Sequence, residues 1–147
     1  MARGADAREM GVMASETGRL YFATNHAIFE GYCLEPHGFA RIFTFEDDFP
    51  HLIYSISRCW DGSFYIAGSS NRVIHLRPGA FRLRGCSGFV VVAGADGRGA
   101  GLTQLDEPSF IAVDRDGDVY ISDENNNRVL RCHNGGGLGQ IVAGGMG

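Results

Sequence analysis

Apolar and polar positions alternate along this chain in short runs, and turn residues interrupt every run. The clearest block lies between positions 108 and 143. Residues 110–114 predict a first strand, and Arg115-Asp116-Gly117 a turn in which Asp-Gly takes positive φ at little cost. Residues 118–122 predict a second strand. Residues 123–126, rich in Asp and Asn, predict the next turn. Residues 128–132 and 140–143 complete a set of four, with a glycine-rich turn at 134–137 between them. Each predicted strand has about five residues, the usual length. No segment sustains a helical period, and the 22 glycines punctuate turns and disfavour helix interiors.

The same text recurs upstream. Gly18-Arg19-Leu20-Tyr21-Phe22-Ala23, Gly62-Ser63-Phe64-Tyr65-Ile66-Ala67 and Gly117-Asp118-Val119-Tyr120-Ile121-Ser122 superpose at offsets of 62 − 18 = 44 and 117 − 62 = 55. Gly38-Phe39 matches Gly88-Phe89, and Ala93-Gly94 matches Ala143-Gly144, each at an offset of 50. Asn71-Arg72-Val73 echoes Asn127-Arg128-Val129. The strand text is constant while the spacing wanders, as expected where loops absorb insertions and strands do not.

The third unit carries a specific signature. It consists of the glycine-rich loop from Gly94 to Gly101, Gln104-Leu105, Pro108, Asp116-Gly117, Asp123 and Asn126-Asn127-Arg128-Val129. It resembles the NHL repeat, the blade-forming unit of a family of β-propellers. The resemblance is closest over 88–147, weaker over 52–87 and weakest before that. It implies an all-β chain, an incomplete β-propeller built of about three four-stranded blades. The expected division is a tail at 1–9, a degenerate first blade at 10–50, a second at 51–95, and a third at 96–147 that includes the start of a linker. Propellers close rings of about four to eight blades. The closing text Val142-Ala143-Gly144 copies Val92-Ala93-Gly94, which leads into a blade. The expectation is a piece of a longer propeller. The other solution is self-assembly of copies to close the ring.

Composition narrows the function. No apolar run reaches membrane-spanning length, so no membrane role is expected. All thirteen basic residues are arginine, which removes lysine chemistry from this chain. The net charge of −4 argues against nucleic acid. Arg72, Arg77, Arg82 and Arg84, with Phe81 among them, form a local basic cluster. Some NHL propellers bind RNA through a basic face, so RNA is a second alternative partner; the simpler reading is a solvated blade edge. Cysteines 33, 59, 86 and 132 lack zinc-ligand spacing, which favours reduced thiols and a cytoplasmic setting while leaving the compartment open.

Catalytic templates fail on their details. A calcium loop starting at Asp114 would need glycine and glutamate where Val119 and Asn125 stand. A dinucleotide fingerprint starting at Gly137 meets Val142 in place of its third glycine. The resemblance also covers a zinc-dependent peptidyl hydroxyglycine lyase and metal-dependent lactonases. The five histidines here do not recur as repeated metal ligands, so no metal and no cofactor is expected. Asp123 and the Asn125-Asn126-Asn127-Arg128 run read best as architecture, with Asx side chains bonding turn amides and the arginine fork clamping adjacent loops. The expected function is a non-catalytic scaffold for a protein or peptide partner. The alternative is part of a propeller enzyme of the lyase or lactonase type. The candidate binding residues are Arg72, Arg82, Arg84, Asp123, Asn126 and Arg128, and no catalytic residue is assigned.

Overall fold

The computed structural model describes residues 11–14, 18–24, 27–32, 38–44, 52–77, 89–133 and 136–146. Each of the three units folds as a four-stranded antiparallel meander. Sheet one holds β1 (Gly11–Ala14), β2 (Arg19–Thr24), β3 (Ala27–Tyr32) and β4 (Ala40–Thr44) in that order. Sheet two holds β5 (Ile53–Arg58), β6 (Phe64–Gly68), β7 (Arg72–Leu76) and β8 (Phe89–Ala93). Sheet three holds β9 (Pro108–Val113), β10 (Val119–Asp123), β11 (Arg128–Cys132) and β12 (Gln140–Gly144). One short 3-10 turn, Glu124–Asn126, joins β10 to β11.

The strands of sheet three differ slightly from the sequence expectation. β9 starts two residues early, at Pro108, because proline is tolerated as the first residue of a strand. β10 starts one residue late. Asp118 belongs to the turn, its carbonyl accepting from the Asp114 amide at 3.1 Å and its own amide donating to Asp114 Oδ1 at 3.0 Å.

The recurring text gives recurring geometry. Gly62 and Gly117 take φ of 87° and 85°, and each donates its amide to the residue three before it, Cys59 or Asp114. Asn71 and Asn127, both left-handed, precede β7 and β11. Sheets two and three each carry a register shift at the homologous place, between Val73 and Ile74 and between Val129 and Leu130.

The sheets stack through their first strands, β1 beside β5 and β5 beside β9. The Ile111 amide donates across the second boundary to Ser55 Oγ at 3.3 Å. Burial then follows the two-residue strand period. In β6, both faces are covered and every residue is buried. In β2 only Tyr21 and Ala23 are buried, and in β10 Val119, Ile121 and Asp123. One core, between sheets one and two, contains Tyr21, Ala23, Ile28, Phe64, Ile66 and Ile74. The other, between sheets two and three, contains Tyr65, Ala67, Val73, Val119, Ile121 and Leu130. Leu105, fully buried, plugs this second core from the glycine-rich loop. Each large apolar side chain buried there contributes about 1.5–3 kcal/mol.

Candidate binding surfaces

The loop joining β8 to β9 is rich in glycine, yet it is densely bonded. Gly99 and Leu105 pair through the Gly99 amide and the Leu105 carbonyl at 3.1 Å, and the Leu105 amide returns to the Gly97 carbonyl at 3.2 Å. Thr103 Oγ1 donates to Asp96 Oδ2 at 2.6 Å, and the Gly101 amide donates to Gln104 Oε1 at 3.1 Å. The Glu107 amide donates to Asn71 Oδ1 at 2.9 Å, which ties the loop to the neighbouring sheet.

Three of the sequence-predicted residues converge beneath this loop. The Arg128 guanidinium donates from Nε to Asp123 Oδ2 at 2.7 Å. Its other nitrogens donate to the carbonyls of Ala100 at 2.6 Å, Gly101 at 2.8 Å and Gln104 at 3.1 Å. Asp123 Oδ1 accepts from the Asp106 amide at 2.7 Å, and Asn126 Nδ2 donates to both Asp123 Oδ2 and the Gly99 carbonyl at 2.9 Å. Asp123 is fully buried and Arg128 is 7% exposed. The planar fork of arginine suits this task, because it satisfies one carboxylate and three carbonyls at once. These groups hold the loop of their own chain.

Arg72, the counterpart of Arg128, lies on sheet two, apart from this cluster, and is exposed. The physical reason is its missing carboxylate: Gly68 stands where sheet three has Asp123. Arg77 is exposed as well. Arg82 and Arg84 lie outside the described residues, as do Cys33, Cys86, His26, His37 and His51.

The opposite rim carries the turn between β5 and β6. The Cys59 amide donates to the Ser63 carbonyl at 2.9 Å, and Asp61 Oδ1 accepts from the Ser63 amide at 2.9 Å and hydroxyl at 2.6 Å. Trp60, the chain's single tryptophan, stands at the tip and is 83% exposed. The homologous turn between β9 and β10 has the same backbone closure with Arg115 in that place. The turn itself therefore does not demand an aromatic residue. The sequence signal for Trp60 is a large apolar residue where its sister repeat has a charge, Arg115.

Below sheet three, the buried Asp118 carboxylate accepts from Arg131 Nε at 2.7 Å, and His133 Nδ1 lies 2.6 Å from its other oxygen. The Arg131 guanidinium, first by hydrogen bonding and then by charge, lowers the Asp118 pKa below the ordinary value. The stability this contributes is present above the unfolded carboxylate pKa and is lost as pH falls through the depressed folded value. Asp118→Asn is therefore expected to flatten the acid limb of a melting-temperature profile below about pH 4, the unfolded pKa of aspartate. An unchanged acid limb would mean that this pair contributes nothing to acid stability.

Burial raises the pKa of both Cys59 and Cys132, which keeps the thiols protonated and poor as nucleophiles. His75 stacks on Tyr65 with centroids 4.3 Å apart, and burial, opposed in part by Asp61, lowers its pKa. Among the described residues, no group of three or more His, Cys, Asp or Glu side chains is placed to hold a metal ion, and no helix is long and apolar enough to cross a membrane.

Residues 105–132 match the family model of the NHL repeat. No curated protein matches the chain. Among solved structures, it is similar in fold to regucalcin of Agrobacterium tumefaciens, described as a calcium-binding protein. The TM-score is 0.57 at 15% identity, over 90% of this chain and 43% of that one. A streptogramin B lyase matches at a TM-score of 0.44 and 19% identity, over 87% of this chain and 52% of its own. A catalytically inactive virginiamycin B lyase from Staphylococcus aureus, with quinupristin, matches at 0.45 and 13%, over 92% and 57%. The chain thus spans between 43% and 57% of the length of these structures. The NHL match falls on sheet three, and the three four-stranded sheets together have the fold of β-propeller blades.

Proposed function

We propose that this arc of propeller blades is a non-catalytic scaffold that binds a protein or peptide partner through the rim carrying Trp60. The observation behind this reading is the pair of homologous turns. One presents a charged Arg115, and the other presents an 83% exposed tryptophan on an equally well-bonded backbone. Tryptophan is among the residue types enriched where a few side chains dominate binding energy. Asp123, Asn126 and Arg128 support the same reading from the other side, since their polar groups are engaged in shaping a loop.

Panning a random peptide library against the whole chain tests the proposal. Selected peptides are expected to shift the emission of Trp60 and to lose at least tenfold in affinity against Trp60→Ala, about 1.4 kcal/mol or more. The same substitution is expected to change folding stability by less than about 0.5 kcal/mol, because the side chain lies on the surface. Peptides that bind the variant equally well and leave tryptophan emission unmoved would sink this assignment.

The competing reading is a metal-dependent propeller enzyme of the lyase or lactonase type. Titration of the chain with zinc and with calcium separates the two. The scaffold reading expects no stoichiometric binding, and one tightly bound ion per chain would favour the enzyme.

A further inference from the structure

We propose that His75 is a proton-operated release for the boundary between sheets two and three. Uncharged, its ring lies flat on Tyr65 inside that boundary; in mildly acidic solution, the proton it takes up drives the ring out to water. The strand period sets its position. Val73 packs into the core shared with sheet three, while Ile74 and Leu76 pack into the core shared with sheet one. His75 therefore faces sheet three, as Val73 does. The register puts it opposite Tyr65 on β6 and Val90 on β8. Tyr65 is buried in the core that holds Val119, Ile121 and Cys132 of sheet three. The His75 ring stacks on it at 4.3 Å, with the two planes 5° apart.

One atom makes this position sensitive to a proton. His75 Nε2 is buried without a hydrogen-bond partner, the one side-chain nitrogen or oxygen so placed among the described residues. Buried polar atoms are almost always bonded, so an exception calls for an explanation. A neutral imidazole can keep its proton on Nδ1 and leave Nε2 a bare lone pair. An imidazolium carries a proton on both nitrogens, and the one on Nε2 would meet no acceptor. An unmade bond costs more at a buried charged group than at a neutral one.

The neighbouring groups do not reverse this. Burial raises the Tyr65 pKa, so that ring stays neutral. Cys59 and Cys132 in the same core are kept protonated by burial too. Val90 brings no charge from β8. Arg77, just past the end of β7, repels an imidazolium, and Asp61 in the turn between β5 and β6 attracts one. Asp61 Oδ1 is already engaged by the Ser63 amide at 2.9 Å and hydroxyl at 2.6 Å. Burial outweighs Asp61 and holds the His75 pKa below its ordinary value. With the folded value below the unfolded one, the unfolded chain takes the proton first. Stability therefore falls as pH drops through the interval between the two values and levels off beneath it.

His75→Phe keeps a flat ring on Tyr65 and removes the titration. Urea unfolding of the parent and of this variant is measured at pH 7 and pH 5. Relative to the variant, the parent's unfolding constant is expected to rise about threefold or more on acidification. Parallel losses in the two proteins overturn the inference. So does a parent that gains on the variant in acid, which would mean that Asp61 holds the charged ring in place. If His75→Phe does not fold, nuclear magnetic resonance of the parent decides. The His75 ring is expected to titrate below about pH 6.5, the ordinary value, and the Val119 and Ile121 methyl resonances to shift with it. A midpoint at or above that value, or methyl resonances that do not move with the ring, overturns the proposal.

Discussion

Replacing Arg128 with alanine is expected to destabilise the fold by about 3–5 kcal/mol, the range for removing one partner of a buried ion pair. The guanidinium answers the buried Asp123 carboxylate and three loop carbonyls, those of Ala100, Gly101 and Gln104. Truncation strands a buried charge and frees the loop that carries Leu105 into the core between sheets two and three. Arg128→Lys is expected to recover only part of the loss, because a single ammonium cannot reproduce the fork. The double variant Asp123→Leu with Arg128→Met should be less destabilised than the sum of its single changes, since it leaves no unpaired charge. Urea denaturation of the parent, Arg128→Ala, Arg128→Lys, the double variant and its two single changes measures this. A single Arg128→Ala variant as stable as the parent would show that the pair is not structural and would return these residues to the list of ligand contacts.

The second large effect is expected at Gly94. Its φ is +75°, and a Cβ there would press on the Asn71 carbonyl oxygen and sit 3.0 Å from Arg72 Cα. Gly144 repeats the arrangement one blade later, with φ +70° and a Cβ meeting the Asn127 carbonyl oxygen and Arg128 Cα at 3.0 Å. Backbone on both sides cannot yield as a side-chain tip can. Gly94→Ala is therefore expected to combine conformational strain of about 1–3 kcal/mol with overpacking of about 1–3 kcal/mol. Gly97 is the control. Its φ is also +75°, but a Cβ there would meet nothing within 4 Å, so Gly97→Ala should show the strain alone. Equal losses at the two positions would remove the steric part of this account.

Much of this architecture was legible before any coordinates. Asp-Gly at 116–117 and the Asn-Asn-Arg run at 126–128 are turn chemistry that acts within a few residues, so local text sufficed to place the strands of sheet three. The arginine clamp could be expected as a role, because one fork can reach several carbonyls. Its acceptors at Ala100, Gly101 and Gln104 could not, since the loop path that brings them there is tertiary. Leu105 follows a glycine-rich loop in sequence, and only the stacking of two sheets turns it inward. Trp60 escaped for the opposite reason. Tryptophan in a core-forming repeat suggests burial, and its exposure depends on which side of the stack a turn faces. Arg72 shows the limit of repeat logic: the residue recurs, but the carboxylate that would draw it inward does not.

The shared positions at every sheet boundary also bear on how such a protein can change over generations. Because a Tyr and a small residue of one unit meet an apolar pair of the next at both boundaries, Tyr21 and Ala23 against Phe64 and Ile66, and Tyr65 and Ala67 against Val119 and Ile121, a tandem duplication of one unit arrives with both contacts already made. Blade number can therefore drift by copying whole units while the packing chemistry stays constant. Individual loops such as the one that carries Trp60 remain free to diverge beneath that constancy.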